Sequence, residues 1–200
     1  MNIKVIGGTV ALVGLYFLLT SATTKKKNLK LLFIGDSNTD NTYSYADKIK
    51  KRFPNITVEK VAKGGQGTKW MVENLEKKLK DNKYDIITFL GGSNDVYGGG
   101  VPLQTTKDNI LKIRQMIKDN GAKSILVTPP NKKFYSKNTA EKLKNLSDLI
   151  AWEKQQDFDS IIDFHDITDK IDLFNPDLRH PNSDAHVILA DVFVKSTGIA

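Results

Sequence analysis

The sequence predicts a three-layer α/β/α domain built on a five-stranded parallel sheet. The main observation is that short apolar runs alternate with amphipathic segments after residue 28, as strands do when helices connect them. The composition, with 40% hydrophobic and 26% charged residues, is that of a folded protein. A length of 200 residues suits one domain of ordinary size.

An apolar segment precedes this domain. Residues 5–22 carry no charge and are just long enough, as a helix, to cross a hydrocarbon core of about 30 Å. We expect residues 1–22 to be a membrane anchor, because the run exceeds the usual apolar core of a signal peptide. The alternative is a cleaved signal segment, with Lys4 before the run and small residues at its end. A basic linker, 23–28, separates this segment from the domain at 29–200.

Five apolar runs rich in strand formers predict the strands. Their bounds are 29–34, 56–62, 85–90, 124–128 and 160–164. Amphipathic segments predict the main helices at 43–53, 69–80, 105–120, 139–156 and about 183–196. Pro54 ends the first helix, Gly121 ends the third, and Ser183 or Asp184 is expected to cap the last.

Polar or glycine-rich segments follow four of the predicted strands. Ser37 follows the first strand, a glycine-rich turn at 63–68 the second, and Asn94 the third, while Asp177 and His180 lie in the loop after the fifth. In an open parallel sheet, ligands bind at the carboxyl edge, where all these segments would meet. The sequence therefore predicts a functional site along this edge.

The residue types at this edge suit acyl transfer. Ser37 is a candidate nucleophile, and a serine needs an adjacent general base. His180 can serve as that base, and Asp177, three residues earlier, can reach its other ring nitrogen. The backbone N–H of Ser37, that of Gly67 and the Asn94 amide are candidate oxyanion donors.

The ordered set of motifs resembles the SGNH (GDSL-type) hydrolases. The resemblance covers essentially the whole chain after residue 28 and rests on four blocks: Gly35-Asp36-Ser37, Gly67, Gly92-Ser93-Asn94-Asp95 and Asp177-Leu178-Arg179-His180. It implies a flavodoxin-like sheet of order 2-1-3-4-5 and an esterase, lipase or carbohydrate-deacetylase activity, without metal or organic cofactor. It also implies that Ser37 is the nucleophile, His180 the base and Asp177 its partner, with Gly67 and Asn94 as oxyanion donors.

The glycine block departs most from the family pattern. An asparagine commonly precedes this block, where the present chain has Ala62 or Lys63. Gly64 or Gly65 is therefore an alternative to Gly67 as the oxyanion glycine.

Several of these residues also have a purely structural interpretation. Asp36 and Ser37 could simply cap a helix, and Asp95 is expected to order its own loop by local hydrogen bonds. His186 is interpreted as structural. His165, with acidic neighbours at 163 and 166, is a weak pattern for a metal site, and no metal is expected.

The net charge of +7 raises the possibility of a nucleic-acid partner. The lysines are spread over several predicted helices, with acidic residues between them and no interleaved aromatic residues, so no nucleic-acid binding is expected. The chain has no cysteine, which excludes disulfides and cysteine nucleophiles.

These observations lead to a membrane-anchored serine esterase as the first hypothesis. Acetyl or short acyl esters on cell-wall or surface carbohydrate are the first substrate expected, followed by lipid esters. The domain is expected to lie outside the cytoplasm, or to be secreted if the segment is cleaved, although the basic linker favours the opposite orientation. The alternative is a structural or adhesion protein of an envelope or virion that keeps the fold with little catalysis.

Overall fold

Five parallel strands form the centre of the structure, a computed structural model that describes residues 28–98 and 100–199. The strands are β1 (Lys30–Gly35), β2 (Thr57–Ala62), β3 (Ile86–Leu90), β4 (Lys123–Val127) and β5 (Ser160–Ile162). Their order in the sheet is β2-β1-β3-β4-β5, with every pair parallel. The fold class and strand order that the sequence and the resemblance predicted are confirmed.

Helices cover both faces of this sheet. They are α1 (Ser37–Asp40), α2 (Tyr45–Arg52), α3 (Thr68–Leu79), α4 (Ser93–Gly98), α5 (Leu103–Asn120), α6 (Ala140–Glu153), α7 (Phe164–Ile167) and α8 (Ser183–Thr197). A short 3-10 helix, Ile171–Leu173, lies between α7 and α8.

The side chains of β1 alternate between two apolar cores. Leu31 and Phe33 face the core that contains buried residues of α2 and α8. Leu32 and Ile34 face the other core, which contains buried residues of α3, α5 and α6. Because both faces of the central strands are buried, β1 and β3 read as continuous apolar runs rather than alternating ones.

The structure corrects several element ends. The fifth strand ends at Ile162 rather than at residue 164, because the Asp163 side chain accepts the N–H of Asp166 and caps α7. The last helix begins at Ser183, but its cap is Asn182, whose side chain accepts two N–H groups. The short helices α1, α4 and α7, of four to six residues, were not predicted, since segments this short carry no periodicity.

The predicted apolar segment 1–22 and residues 23–27 of the predicted linker lie outside the described residues. Among the helices that the structure describes, none is long and apolar enough to span a lipid bilayer.

Candidate active site

Ser37 lies at the point where β1 passes into α1. Asp36 has extended backbone and caps α1, and its Oδ1 accepts the N–H of Asn38 at 2.9 Å. Ser37 is therefore the first residue of the helix, where a backbone N–H has no intrahelical acceptor. A Cβ on Gly35 would lie 2.8 Å from the carbonyl oxygen of Leu90, so only glycine lets this turn pack so closely on β3.

His180 and Asp177 meet Ser37 across the carboxyl edge of the sheet. The Oγ of Ser37 lies 2.9 Å from Nε2 of His180, and Nδ1 of His180 lies 2.6 Å from Oδ2 of Asp177. The other oxygen of Asp177 accepts the backbone N–H groups of Arg179 and His180, both at 3.0 Å. The structure thus joins three side chains from two segments 143 residues apart in sequence.

The loop that carries this pair is held at its base. Phe174 and Pro181 form an isolated antiparallel bridge, and the N–H of Asn175 donates to the carbonyl of His180 at 2.8 Å. Leu178 takes the left-handed conformation, with φ of 52°, which closes the turn between Asp177 and His180. The i to i+3 spacing in the sequence reflects this single turn.

The surroundings of Asp177 favour its ionised form. Burial by itself would raise the pKa of Asp177, but the N–H donors of His180 and Arg179 and the His180 ring together hold it below the usual value. An ionised Asp177 accepts a hydrogen bond from the N–H at Nδ1 of His180 and so keeps the ring proton on that nitrogen. Nε2 then carries a lone pair toward the Ser37 hydroxyl, as a general base requires.

Gly67 has the free N–H expected of an oxyanion donor. It is the N-cap of α3, a position whose N–H has no intrahelical acceptor. Gly64 differs, because its N–H donates to Oδ2 of Asp40 at 3.0 Å. Gly65 has φ of +77°, and a Cβ there would meet nothing within 4 Å. The hydrogen bonds therefore favour Gly67 over Gly64 as the donor.

Asn94 contacts the same turn. Its Nδ2 donates to the carbonyl of Gln66 at 2.9 Å, the oxygen of the peptide unit that also contains the Gly67 N–H. A trans peptide unit sets its C=O and N–H in opposite directions, so the Gly67 N–H points away from the Asn94 amide. The Asn94 amide and the Gly67 N–H therefore lie on opposite sides of the same peptide unit and point in different directions. The second proton on Nδ2 is available to a ligand.

Asp95 holds the glycine turn, so the prediction that its hydrogen bonds are local to its own loop is wrong. Its carboxylate accepts the N–H of Thr68 at 2.9 Å and the Thr68 hydroxyl at 2.8 Å, across 27 residues of chain. Burial raises the pKa of Asp95, and the Thr68 hydrogen bonds oppose that rise. A Cβ on Gly67 would lie 2.9 Å from Oδ2 of Asp95, so the absence of a side chain there permits this contact.

The remaining histidines lie apart from these contacts. His186 is fully buried on α8, and its ring packs against Tyr43, Tyr45 and Phe164. Burial lowers the pKa of His186 to about 3, so the ring is neutral. His165 lies on α7 beside Asp163, which is paired with Lys154. Over residues 28–98 and 100–199, no group of three or more acidic or histidine side chains could hold a metal ion.

Sequence reasoning did not find Lys132, in the loop after β4. This side chain is only 3% exposed, and its Nζ donates to the Ser93 hydroxyl at 3.3 Å. The sequence gives no signal for it, since Lys132 is one of 30 lysine and arginine residues and nothing local indicates burial.

A cleft of about 630 Å³ opens beside the glycine turn. Gly67 and Asn94 form part of its wall, and Gln66, Lys69, Trp70 and Glu73 add an aromatic ring and polar groups. A second cleft of about 640 Å³ shares Lys69, Glu73, Asp95 and Val101 with it and extends toward the start of α5. The wall therefore offers both stacking and hydrogen bonding to a molecule bound next to the candidate donors.

Solved structures of esterases and lipases share this fold. The psychrotrophic esterase EstA from Pseudoalteromonas sp. aligns with 16% identity over 85% of this chain and 97% of its own, at a TM-score of 0.63. A GDSL-like lipase from Bacteroides thetaiotaomicron aligns with 16% identity over 86% and 89%, at 0.70. Axe2, an acetyl-xylooligosaccharide esterase from Geobacillus, aligns with 20% identity over 85% and 94%, at 0.66. At these identities the likeness shows the fold alone.

A comparison with curated protein sequences found no match. The family model of the GDSL-like lipases and acylhydrolases matches residues 33–188, which include every residue of the site described above. The chain therefore belongs to the GDSL-like Lipase/Acylhydrolase family and is an ester hydrolase.

Proposed function

We propose that this protein is a serine esterase that acts through an acyl-enzyme formed on Ser37. The observation that supports this most is the continuous chain from Ser37 Oγ through the His180 ring to Asp177, with contacts of 2.9 and 2.6 Å. A serine hydroxyl is a weak nucleophile without such a base.

The proposed reaction has two halves. His180 Nε2 takes the proton of Ser37 as Oγ attacks the ester carbonyl, and it then gives that proton to the departing alcohol. In the second half, His180 takes a proton from water, whose oxygen attacks the acyl-enzyme, and returns it to Ser37 Oγ. Asp177 accepts the hydrogen bond from Nδ1–H throughout and stabilises the imidazolium that forms in each half.

The tetrahedral intermediate carries a negative oxygen that needs donors. We assign this role to the N–H of Ser37 and the N–H of Gly67, both free of intrahelical partners. Asn94 joins them when its amide turns from the Gln66 carbonyl toward the oxyanion, since in the present arrangement the Gly67 N–H points away from that amide. Substrate binding thus completes the set of oxyanion donors.

For the substrate, we propose acetyl or other short acyl esters of carbohydrate. The cleft beside Gly67 and Asn94 combines the Trp70 ring with the polar side chains of Gln66, Lys69 and Glu73, as suits a sugar better than an alkyl chain. Among the structural neighbours, Axe2 is named as an esterase of acetylated xylooligosaccharides. Lipid esters are the second candidate.

We also propose that residues 5–22 anchor the protein in a membrane, with the domain outside the cytoplasm. Support comes from the uncharged apolar run alone. Membrane extraction of the full-length protein, with N-terminal sequencing, distinguishes a retained anchor from a cleaved signal.

The test of catalysis is Ser37→Ala in the full-length chain, assayed on p-nitrophenyl acetate and on acetylated xylan. Loss of the nucleophile is expected to lower kcat at least about a thousandfold. Ser147→Ala, which changes an exposed serine on α6, serves as the control and keeps the parent rate. A folded parent protein with no activity on any ester would favour the structural or adhesion protein instead.

A further inference from the structure

Lys132 is a buried cation close to the catalytic groups. It is 3% exposed, whereas lysine is almost never buried without a partner. Its Nζ donates to Oγ of Ser93 at 3.3 Å and lies 5.2 Å from the centre of the Tyr97 ring. The ring face attracts a cation. The side chain thus has defined partners inside the protein rather than in solvent.

Ser93 extends this contact to the nucleophile turn. Its hydroxyl accepts from Lys132 and donates to Oδ2 of Asp36 at 3.2 Å. The other oxygen of Asp36 accepts both the backbone N–H and the side-chain amide of Asn38, each at 2.9 Å. Asp36 is 1% exposed, so its carboxylate depends on these donors in place of water.

This network joins three separate segments of the chain. Asp36 directly precedes Ser37, and Ser93 directly precedes Asn94. Lys132 comes from a third segment, the loop after β4. The Ser93 hydroxyl therefore links the turn that carries the nucleophile to the turn that carries the amide donor, and the Lys132 ammonium group ties that hydroxyl to the third segment.

We propose that Lys132 is a positioning residue for ester hydrolysis, which holds the Asp36 carboxylate through the Ser93 hydroxyl and so fixes Ser37 relative to Asn94. The inference rests on the proposed function of Ser37 and Asn94. It goes beyond them, because Lys132 touches neither.

A cation is needed here for an electrostatic reason. A buried carboxylate without a compensating charge is strongly unfavourable, and removing one member of a buried pair leaves the other uncompensated. Burial lowers the pKa of Lys132, while the charges of Asp36 and Asp177 oppose that shift and Arg179 adds to it. Lys132 therefore lies within the electrostatic reach of both acidic groups of the site.

The test compares Lys132→Met with Lys133→Met in the full-length chain. Methionine keeps the length of the side chain and removes its charge. Lys133 is the exposed neighbour that pairs with Asp169, and its loss is expected to leave kcat unchanged. Lys132→Met is expected to lower kcat on p-nitrophenyl acetate about tenfold to a hundredfold, with KM within about threefold, since a small displacement of reacting groups costs this much.

Two more variants separate positioning from general loss of structure. Ser93→Ala interrupts the same network without removing a charge, and it is expected to lower kcat in the same way even if Lys132→Met fails to fold. Lys132→Met combined with Asp36→Asn is expected to lose no more than the worse single variant, because both changes break one network. Circular dichroism and thermal melting establish folding in each case.

The outcomes distinguish this inference from the proposed function. A parent-like kcat in both Lys132→Met and Ser93→Ala, or fully multiplicative losses in the double variant, overturns the role of Lys132 and leaves Ser37 as nucleophile. Undiminished hydrolysis by Ser37→Ala overturns the proposed mechanism, and the role of Lys132 with it.

Discussion

At the scale of single residues, the candidate site depends on a few polar side chains that each bond to two or more groups. Asp177 accepts two backbone N–H groups with one oxygen and the His180 ring with the other. Asp95 holds both the N–H and the hydroxyl of Thr68. Because every such carboxylate fixes a neighbouring backbone segment as well as a side chain, substitution at these positions changes the shape of a turn and not only a charge.

The residue Gly67 provides a direct test of this dependence. In Gly67→Ala, the new Cβ would lie 2.9 and 3.0 Å from the Asp95 carboxylate oxygens, so the turn must move. We expect kcat to fall about tenfold to a hundredfold. The measurement is the rate on p-nitrophenyl acetate.

The matched control is Gly64→Ala in the same turn. A Cβ there would make ordinary van der Waals contacts, 3.7 Å from Cβ of Ser37 and 3.8 Å from Oδ2 of Asp40. We expect this variant to keep most of its activity. A larger loss in Gly64→Ala than in Gly67→Ala would contradict the choice of Gly67 as donor.

His186 is predicted to make the protein sensitive to acid. Burial lowers the pKa of His186 to about 3, whereas an unfolded histidine titrates near 6.5. Between these values the unfolded chain binds the additional proton, so the free energy of unfolding falls as the pH drops. The contribution is at most about 1.4 kcal/mol per pH unit.

His186→Phe removes this titration and keeps an aromatic ring among Tyr43, Tyr45 and Phe164. Urea unfolding between pH 7 and pH 4 is expected to show a shallower loss of stability in the variant than in the parent. Parallel curves would exclude His186 as a source of acid sensitivity.

At the scale of elements, the helix caps connect stability to the site. Asn182 caps α8 by accepting the N–H groups of Asp184 and Ala185, both at 3.0 Å, and its amide donates to the carbonyl of Asp172 at 2.8 Å. It lies two residues after His180. The same side chain therefore caps a helix and fixes the end of the loop that carries His180.

Asn182→Ala is expected to lower the free energy of unfolding by about 1–2 kcal/mol, the usual effect of losing such a cap. Because the His180 loop loses one attachment, kcat is expected to fall as well, by a few-fold. Urea unfolding and steady-state kinetics measure the two effects. Asn182→Asp, which keeps the cap acceptor, should retain most of the stability, and equal losses in both variants would count against the capping role.

The larger elements could be predicted because they depend on patterns of apolar residues. Each predicted strand and main helix exists, and the sheet order agrees with the family resemblance. The element ends and the short helices depend instead on individual polar contacts, such as the capping of α1 by Asp36 and of α7 by Asp163. Predicting such contacts requires knowing which segments of the chain meet in the folded protein.

The same distinction applies to the site. Ser37, His180 and Asp177 could be suggested from the sequence because their residue types and positions after strands carry chemical meaning. The contact between Asn94 and Gln66 and the burial of Lys132 could not, because both depend on how separate loops fold against each other.

At the scale of the whole molecule, the two ends of the parallel sheet carry different residues. Every strand is parallel, so the carboxyl edge collects Ser37, Gly67 and Asn94, while the amino edge holds the starts of the strands. The long loop before α8 carries His180 back to the carboxyl edge.

The direction of β1 determines how this enzyme can be attached to a support. The strand begins at Lys30 and reaches Gly35 five residues later, about 17 Å away at the usual rise per residue. Residue 28, where the preceding chain joins the domain, is thus on the amino side, and Ser37 is on the opposite one. A domain immobilised at residue 28, on a resin, a bead or a bilayer, would have Ser37 on the side away from the support, open to a large polymeric substrate.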